Sequence, residues 1–173
     1  MPCHGPSHHI RVWKNAEKFG KKLNADLEIL VASCLLHDIA AFDRTSISGH
    51  DLKSAKKAAQ ILKEIKFPKD KISIVSKIIS NHRSRSKTKT VLEGEIMKAF
   101  DKVDAFGTIG IYRIITPMTI RGYDLDMIVK WFLDDGKLEA KWQAIKFKEI
   151  RGRYRKDYLY TLRFFKELAK FRQ

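Results

Sequence analysis

Cysteine is scarce in this 173-residue chain, which contains only Cys3 and Cys34. Two isolated cysteines form neither a metal-binding pair nor the disulfide framework of a small secreted protein, so we expect a reducing environment and no disulfide. Long apolar runs are also lacking, because no stretch of 18 consecutive apolar residues is present and the first residues do not resemble a signal peptide. These absences predict a soluble cytoplasmic protein that makes no contact with membranes.

Acidic residues are outnumbered, with 20 Asp and Glu against 35 Lys and Arg and a formal net charge of +15. Such a surface attracts anions such as nucleotides, nucleic acid or acidic membranes, although a lysine-rich surface that only aids solubility is an equally good interpretation. The chain is long enough for one domain with a proper core and has no internal repeat. We therefore predict a single domain over residues 1–173.

The alternation of polar and apolar residues that is typical of strands is almost absent, and apolar residues recur at helical spacing. This periodicity predicts helices at about 7–23, 25–41, 50–65, 69–82, 92–115 with a bend at Gly107 or Gly110, 125–134, and from 137 to the C-terminus. The segment RSRSKTKT at 83–90 is a cationic surface loop that could contact phosphates. The predicted fold is all-α, a single compact helical bundle with a long amphipathic C-terminal helix.

Several of these helices place a polar residue on an apolar face, namely His8, Asp38, His82 and Asp101, with Asp104 following one turn later. Each residue taken alone is most simply a hydrogen-bonded core residue. All six histidines fall in the first half of the chain, however, and buried imidazoles and carboxylates together indicate a divalent metal that supplies the missing positive charge. Mixed nitrogen and oxygen ligands suit manganese, iron, cobalt, nickel or zinc better than calcium.

Five ordered stretches carry a recognisable pattern: HGPSHHIRVWKNA, LLHDIA, GHDLKSAKKAAQIL, ISNHR and FDKVDAFGTIGIYR. They are similar to H-D-x-x-H-x-x-R-V-x-x-N-A, L-H-D-I-G, H-x-x-x-S-A, I-x-x-H and A-D-R-L-D-A-x-G-x-x-G-I-x-R. In this order, over roughly residues 4–113, the motifs resemble the HD-domain superfamily of metal-dependent phosphohydrolases. The resemblance implies an HD-type helical bundle with a motif-bearing core at about 4–115 and closing helices at about 125–173, as in a stand-alone HD hydrolase.

Three positions depart from the family pattern. Gly5 replaces the usual aspartate, Ala40 replaces the usual glycine, and Ala99 stands where many relatives have an additional aspartate. The changes at positions 5 and 99 remove carboxylates that would hold supporting partners or another metal. They therefore bear on the tuning and number of metals more than on the primary site.

The resemblance assigns the metal ligands to four residues: His8, His37, Asp38 and Asp101. His9, the next residue after His8, is not expected to be a ligand. One divalent metal held there would activate water for attack on phosphorus, with Asp38 orienting that water. His50 and His82 resemble positions that contact substrate phosphate or carry a second ion, and His50 joins Asp38 as a catalytic candidate. Histidines that only pack around the site are an equally good interpretation of both.

Other candidates also come from the resemblance. Arg113, Lys53 and Arg11 are candidates to bind phosphate, although salt bridges on the surface or within the fold are the preferred interpretation of all three. Asp104 is a candidate carboxylate that would contact the metal ligands without binding the metal itself.

The predicted function is hydrolysis of a phosphate ester in a nucleotide or another small phosphorylated substrate. The alternative is a basic helical module that binds nucleic acid and keeps a structural metal, because residues 137–173 contain twelve Lys or Arg against four Asp or Glu. Against that alternative, the aromatic residues Trp142, Tyr154, Tyr158 and Phe165 have the helical spacing of a core. A third hypothesis, a di-iron oxygenase, would need a further bridging carboxylate that the sequence does not place.

Overall fold

The computed structural model describes residues 5–41, 49–83 and 90–172. Within these ranges the chain forms nine α-helices and no β-strand, which confirms the predicted all-α class. No described helix is both long and apolar enough to cross a bilayer. Cys3 and most of the cationic loop predicted at 83–90 lie outside the described residues. The chain divides into two compact units, one of residues 4–100 and one that begins at Asp101, and the prediction of a single domain stays a prediction.

The first unit is built from four helices and most of a fifth: α1 (Pro6–Lys22), α2 (Leu27–Leu36), α3 (His50–Glu64), α4 (Lys69–Ser80) and α5 (Leu92–Val103). Helix α2 packs against α1, α3 and α4, and α3 pairs with α4. The apolar residues of α2 surround it almost completely, as expected for a central helix. Leu30 of α2 and Val75 of α4 are fully buried in this core.

The start of α2 is fixed by an aspartate. Asp26 accepts hydrogen bonds from the backbone N–H groups of Glu28 and Ile29, which satisfies two donors that a helix start leaves without partners. Its carboxylate also pairs with Lys71 of α4 at 2.7 Å. Asn24, the residue before the predicted helix start, instead has a left-handed backbone with φ of 52°. The start of α2 is thus held against α4, and His37 and Asp38 follow at the other end of the same helix.

The second unit contains α6 (Gly107–Ile120), α7 (Leu125–Val129), α8 (Lys137–Gln143) and α9 (Lys148–Leu168). Helix α7 continues into a π-helical turn, Lys130–Asp134, and α9 into a 3-10 turn, Ala169–Phe171. Helix α9 packs against α6, α7 and α8. Its buried aromatic residues meet other rings, since Tyr158 stacks on Trp142 at 4.5 Å and Phe165 stacks on Phe132 at 4.3 Å between ring centroids. These aromatic residues of the C-terminal region are core residues, as their spacing indicates.

Helix ends differ from the prediction at several places. One is the end of α6, which continues to Ile120 instead of ending at about residue 115. The helix predicted at 25–41 ends at Leu36, and the helix predicted at 69–82 ends at Ser80. The helix predicted to bend near Gly107 is broken at 104–106, because Gly107 has a φ of 73° that a helix cannot continue through. The long C-terminal helix is two helices separated by residues 144–147, where the fully buried Ile145 leaves the helical path.

Candidate metal centre

Five histidines and one aspartate of the first unit lie together. They come from α1, from the turn after α2, from the first residue of α3 and from the segment after α4: His8, His9, His37, Asp38, His50 and His82. All are buried except His50, which is half-buried. The structure therefore brings together five of the residues that the sequence singled out, and their roles as ligands or catalysts stay predictions.

His8, His37 and Asp38 form the buried half of this cluster. The Nε2 atoms of His8 and His37 face each other at 3.2 Å, and His37 Nε2 lies 3.6 Å from Asp38 Oδ2. The two rings meet edge to face, with centroids 5.1 Å apart. One atom from each of the three residues can be chosen so that all lie within 4.8 Å of one another. Two nitrogens and a carboxylate oxygen thus converge on one point.

His50 and His82 form the other half, around the second oxygen of the same carboxylate. Asp38 Oδ1 lies 3.4 Å from His50 Nε2 and 3.3 Å from His82 Nε2. These three residues make a second group whose potential ligand atoms lie within 4.8 Å. Asp38 therefore stands between two groups of histidines and offers one oxygen to each.

Two of the rings are oriented by backbone carbonyls at helix ends. His37 Nδ1 donates to the carbonyl of Cys34 at 3.0 Å, and His82 Nδ1 donates to the carbonyl of Ile79 at 2.6 Å. Each imidazole thereby hydrogen-bonds to a carbonyl in the last turn of its helix. Asp38 and His82 lie beyond the helix ends, not on helix faces as predicted. Since Nδ1 carries the proton in both rings, a neutral ring presents its lone pair at Nε2.

This donor set fits a divalent transition metal. Ligands about 2.1 Å from one ion are separated by about 3.0–3.4 Å, which is close to the distance between the Nε2 atoms of His8 and His37. A lone pair of His82 Nε2 that faces a carboxylate oxygen at 3.3 Å is unfavourable unless a proton or a cation lies between them. Nitrogen and oxygen donors of this kind suit manganese, iron, cobalt, nickel or zinc, so the His and Asp groups could hold such an ion.

Ser54 supports the turn that carries Asp38. Its fully buried hydroxyl oxygen, on α3, accepts a hydrogen bond from the backbone N–H of Ala40 at 3.1 Å. Ala41 N–H in turn donates to the carbonyl of Asp38 at 2.9 Å. Ser54 belongs to the motif GHDLKSAKKAAQIL, from which no role was predicted for it. Its alignment four residues after His50, one helical turn away, was the available signal for this role.

His9 is a second residue of the cluster that the sequence set aside. Its ring lies 4.9 Å from the ring of His37 and 5.3 Å from that of His8, and it hydrogen-bonds to the backbone of Leu35. Burial, followed by the neighbouring charges of His37 and His8, lowers the pKa of His9 to about 4. A neutral imidazole therefore packs behind His37. The available signal for this role was a pair of adjacent histidines in the first turn of α1. Adjacent helical residues point in different directions, so the pair did not by itself indicate that both rings reach the cluster.

The remaining candidates lie in different settings. Asp101 is half-buried on α5 and belongs to the second unit, so the cluster described above consists of first-unit residues alone. Within its own unit, its carboxylate opposes the lowering of the Lys141 pKa, of which burial is the main cause. Arg113 donates to the Oδ2 atom of Asp104 at 2.6 Å and to its backbone carbonyl at 2.8 Å.

A salt bridge within the fold was the preferred interpretation of Arg113, and this ion pair is such a salt bridge. Its partner is the carboxylate of Asp104, the residue predicted to support the metal ligands. Lys53 is exposed on α3, and Arg11 is half-buried on α1. The assignment of Asp101 as a ligand and of Lys53, Arg11 and Arg113 as phosphate contacts stays a prediction.

Comparison with solved structures finds similar folds. A Lactobacillus plantarum protein is 20% identical with a TM-score of 0.79, over 97% of this chain and 87% of that one. Bacillus subtilis YpgQ is 24% identical with a TM-score of 0.75, over 94% and 86%. YpgQ has also been solved in complex with ADP, a structure that is 22% identical with a TM-score of 0.73, over 94% and 84%. At these identities the similarity shows the fold alone.

Comparison with curated proteins gave no match. A family model described as "HD domain" matches residues 7–105, which include every member of the buried cluster as well as Asp101 and Asp104. That match covers more than half of the chain and agrees with the motifs and with the convergence of His8, His37 and Asp38. The protein therefore belongs to the HD-domain family of metal-dependent hydrolases.

Proposed function

We propose that this protein is a phosphohydrolase that cleaves a phosphate ester of a nucleotide or another small phosphorylated substrate, with one divalent transition metal as cofactor. The observation that carries the proposal is the position of Asp38 between two groups of histidines, with one carboxylate oxygen toward each group. The ADP bound to the similar YpgQ fold supports a nucleotide as substrate. The net charge of +15 also favours an anionic substrate.

His8, His37 and Asp38 would hold the metal, with Asp101 as the fourth ligand that the family pattern assigns. When bound, such an ion supplies Lewis acidity toward a phosphoryl oxygen and lowers the pKa of water. The Cys34 carbonyl and the His9 ring contact His37 and would hold this ligand in its orientation toward the metal. Because these groups are buried, they hold that orientation without reorganisation by solvent.

His50 and Asp38 would move the protons of the reaction. Water attack forms a new bond from oxygen to phosphorus, the ester bond breaks, and the leaving oxygen needs a proton. Asp38 would accept a proton from water through Oδ1. His50 is the histidine of the cluster with most access to solvent, at 19% side-chain exposure. A protonated His50 would therefore give its proton to the leaving oxygen.

His82 and His50 together would contact the substrate phosphate or hold a second ion. Both histidines have Nε2 within 3.4 Å of Asp38 Oδ1. This carboxylate oxygen could therefore share a second ion with them. Lys53, exposed one turn after His50, is a candidate to neutralise a phosphate oxygen.

The test combines metal analysis with phosphate release. Untagged wild-type protein and the Asp38→Asn variant are analysed for bound metal by elemental mass spectrometry, and phosphate release is then measured with a panel of nucleotides and sugar phosphates. We expect about one transition metal per chain, lost in Asp38→Asn together with activity. Asp70→Asn on the exposed side of α4 is the matched control and should retain both.

Two outcomes would contradict the proposal. Metal-loaded wild-type protein that releases phosphate from no member of the panel would exclude the substrate class. Asp38→Asn protein with normal metal content and normal turnover would exclude the assigned centre.

A further inference from the structure

The outward side of α9 is strongly cationic and is not used by the proposed metal centre. Helix α9 contains seven Lys or Arg and three Asp or Glu. Its apolar side is buried in the second unit through Ile150, Tyr158, Thr161 and Phe165. The opposite side is exposed and includes Arg153, Arg155, Lys156, Leu159, Tyr160, Arg163 and Lys166, and we call these residues the α9 outer face. The carboxylates of Asp157 and Glu167 are also exposed on this helix.

An exposed aromatic ring lies in the middle of this face. Tyr160 is 52% exposed, and helical spacing places Lys156 one turn before it and Arg163 one turn after it. The other tyrosines of α9 are less exposed, since Tyr158 is buried and Tyr154 is half-buried. The ring of Tyr160 is therefore not part of the core and lies between Lys156 and Arg163 on the α9 outer face.

Of the three acidic residues of α9, Glu149 and Glu167 lie near the ends of the outer face, and Asp157 is exposed near its centre. Glu149 pairs with Arg153 at 3.8 Å, and Glu167 pairs with Lys170 at 2.7 Å while also sensing the charge of Arg163. Considering only the described residues, no carboxylate lies within ion-pair distance of Arg155, Lys156 or Lys166. The central cations are consequently available to anions from solution.

We propose that the α9 outer face binds single-stranded nucleic acid, with cations on the phosphates and Tyr160 stacked against a base. An acidic membrane is a poorer partner for the same charges. A helix that lies on a bilayer inserts a broad apolar face, whereas the apolar face of α9 is buried and only Leu159 and Tyr160 are apolar and exposed outside. Charge complementarity combined with one exposed ring therefore favours a strand whose bases are accessible.

The experiment measures fluorescence anisotropy of a labelled oligothymidine and of a duplex of equal length against the full chain. A chelator is present throughout, so binding is measured apart from any hydrolysis and its failure is separate from a failure of the proposed function. Contacts to about four phosphates predict a slope of about −3 in log K against log salt concentration for the single strand. The single strand should bind more tightly than the duplex, because stacking needs an open base.

The key variant neutralises three cations in Arg155→Gln/Lys156→Gln/Arg163→Gln. It should reduce the salt slope by about 2 and weaken binding at least tenfold at low salt. The matched control is Lys56→Gln/Lys57→Gln/Lys63→Gln on the exposed side of α3, which removes the same net charge elsewhere and should bind nearly as wild type. Tyr160→Ala should weaken binding roughly tenfold, and Tyr160→Phe should not.

Three results would overturn the proposal. The triple variants could weaken binding equally, which would leave only the diffuse charge of the chain. Tyr160→Ala could bind as wild type, which would exclude stacking. Vesicles with anionic lipid could bind while the oligonucleotide does not, which would assign the face to a membrane surface instead.

Discussion

His37 and His82 obtain their orientation from the backbone. Each donates from Nδ1 to a carbonyl three residues earlier, at Cys34 and Ile79, and so turns Nε2 toward Asp38. A backbone acceptor cannot rotate away as a side chain can, which makes this a rigid way to direct a potential metal ligand. Both histidines follow the last residue of a helix, at Leu36 and Ser80.

His9 provides the first prediction at this scale. Because its ring packs on His37 and its imidazole hydrogen-bonds to Leu35, His9→Leu should loosen the His37 ring and weaken manganese binding about tenfold. His9→Phe keeps a ring at the contact and should weaken binding less. Calorimetric titration of manganese into the three proteins measures the affinities. Equal affinities would show that His9 only fills space.

Tyr158 gives a prediction that depends on pH. Its hydroxyl donates to Glu139 Oε2, and burial with that carboxylate raises its pKa to about 12, while the unfolded value is near 10. The raised value stabilises the fold fully below pH 10, and this contribution is lost as pH rises from about 10 to 12.

Tyr158→Phe should therefore lower the free energy of unfolding at pH 7 by about 1–2 kcal/mol. Thermal unfolding of both proteins at neutral and alkaline pH measures the difference. It should shrink toward zero above pH 12. A constant difference across that range would contradict the assigned bond. Tyr160→Phe, at an exposed position of the same helix, serves as the control.

At the scale of single residues, the sequence predicted His8, His37, Asp38, His50 and His82 as neighbours because the motifs name them. It did not predict which carboxylate oxygen faces which ring, nor the part played by His9. Those features depend on how α1, α2, α3 and α4 approach one another, and a helical period contains no information on that approach.

Helix ends were the least predictable feature at the scale of elements. Apolar periodicity located every long helix, but it continued through residues 37–41 and 81–82, where imidazoles compete for backbone carbonyls. It also joined α8 to α9, because Trp142, Ile145 and Tyr154 fall in register across the break. Periodicity reports which residues are buried, and burial persists through a turn that keeps the same side inward.

Two glycines in different surroundings give a pair of predictions, Gly110 beside the turn between α5 and α6 and Gly152 on α9. A Cβ at Gly110 would lie 2.2 Å from the carbonyl carbon of Ala105, so the backbone of this tight turn would have to move. Gly110→Ala should destabilise the protein by about 1–3 kcal/mol. A Cβ at Gly152, on the exposed side of α9, meets nothing within 4 Å, and Gly152→Ala should stabilise by about 0.5–1 kcal/mol.

Denaturant unfolding of both variants measures the two changes, which should have opposite signs. Loss of stability in Gly152→Ala, or unchanged stability in Gly110→Ala, would contradict the described backbone at the respective turn or helix.

At the scale of the whole molecule, chemistry and charge are distributed unevenly along the chain. The family match ends at residue 105, and the long cationic helix α9 lies entirely beyond it. The sequence predicted the metal centre from its motifs, whereas it could only describe the later residues as basic and helical. The substrate is equally absent from the sequence, because the motifs assign groups that hold metal and phosphate but none that reads the rest of a substrate.

The last prediction concerns Asp101, the one assigned ligand outside the first unit. A ligand that binds only folded protein stabilises it by about 2.7 kcal/mol at a concentration of 100 times its Kd, so excess manganese should raise the Tm by about 5–10 °C. If Asp101 completes the ligand set, Asp101→Asn should lose most of this increase while its Tm in chelator stays close to that of wild type. Asp135→Asn, exposed in a turn of the second unit, should keep the full increase. A full increase in Asp101→Asn would instead show that His8, His37 and Asp38 hold the ion without it.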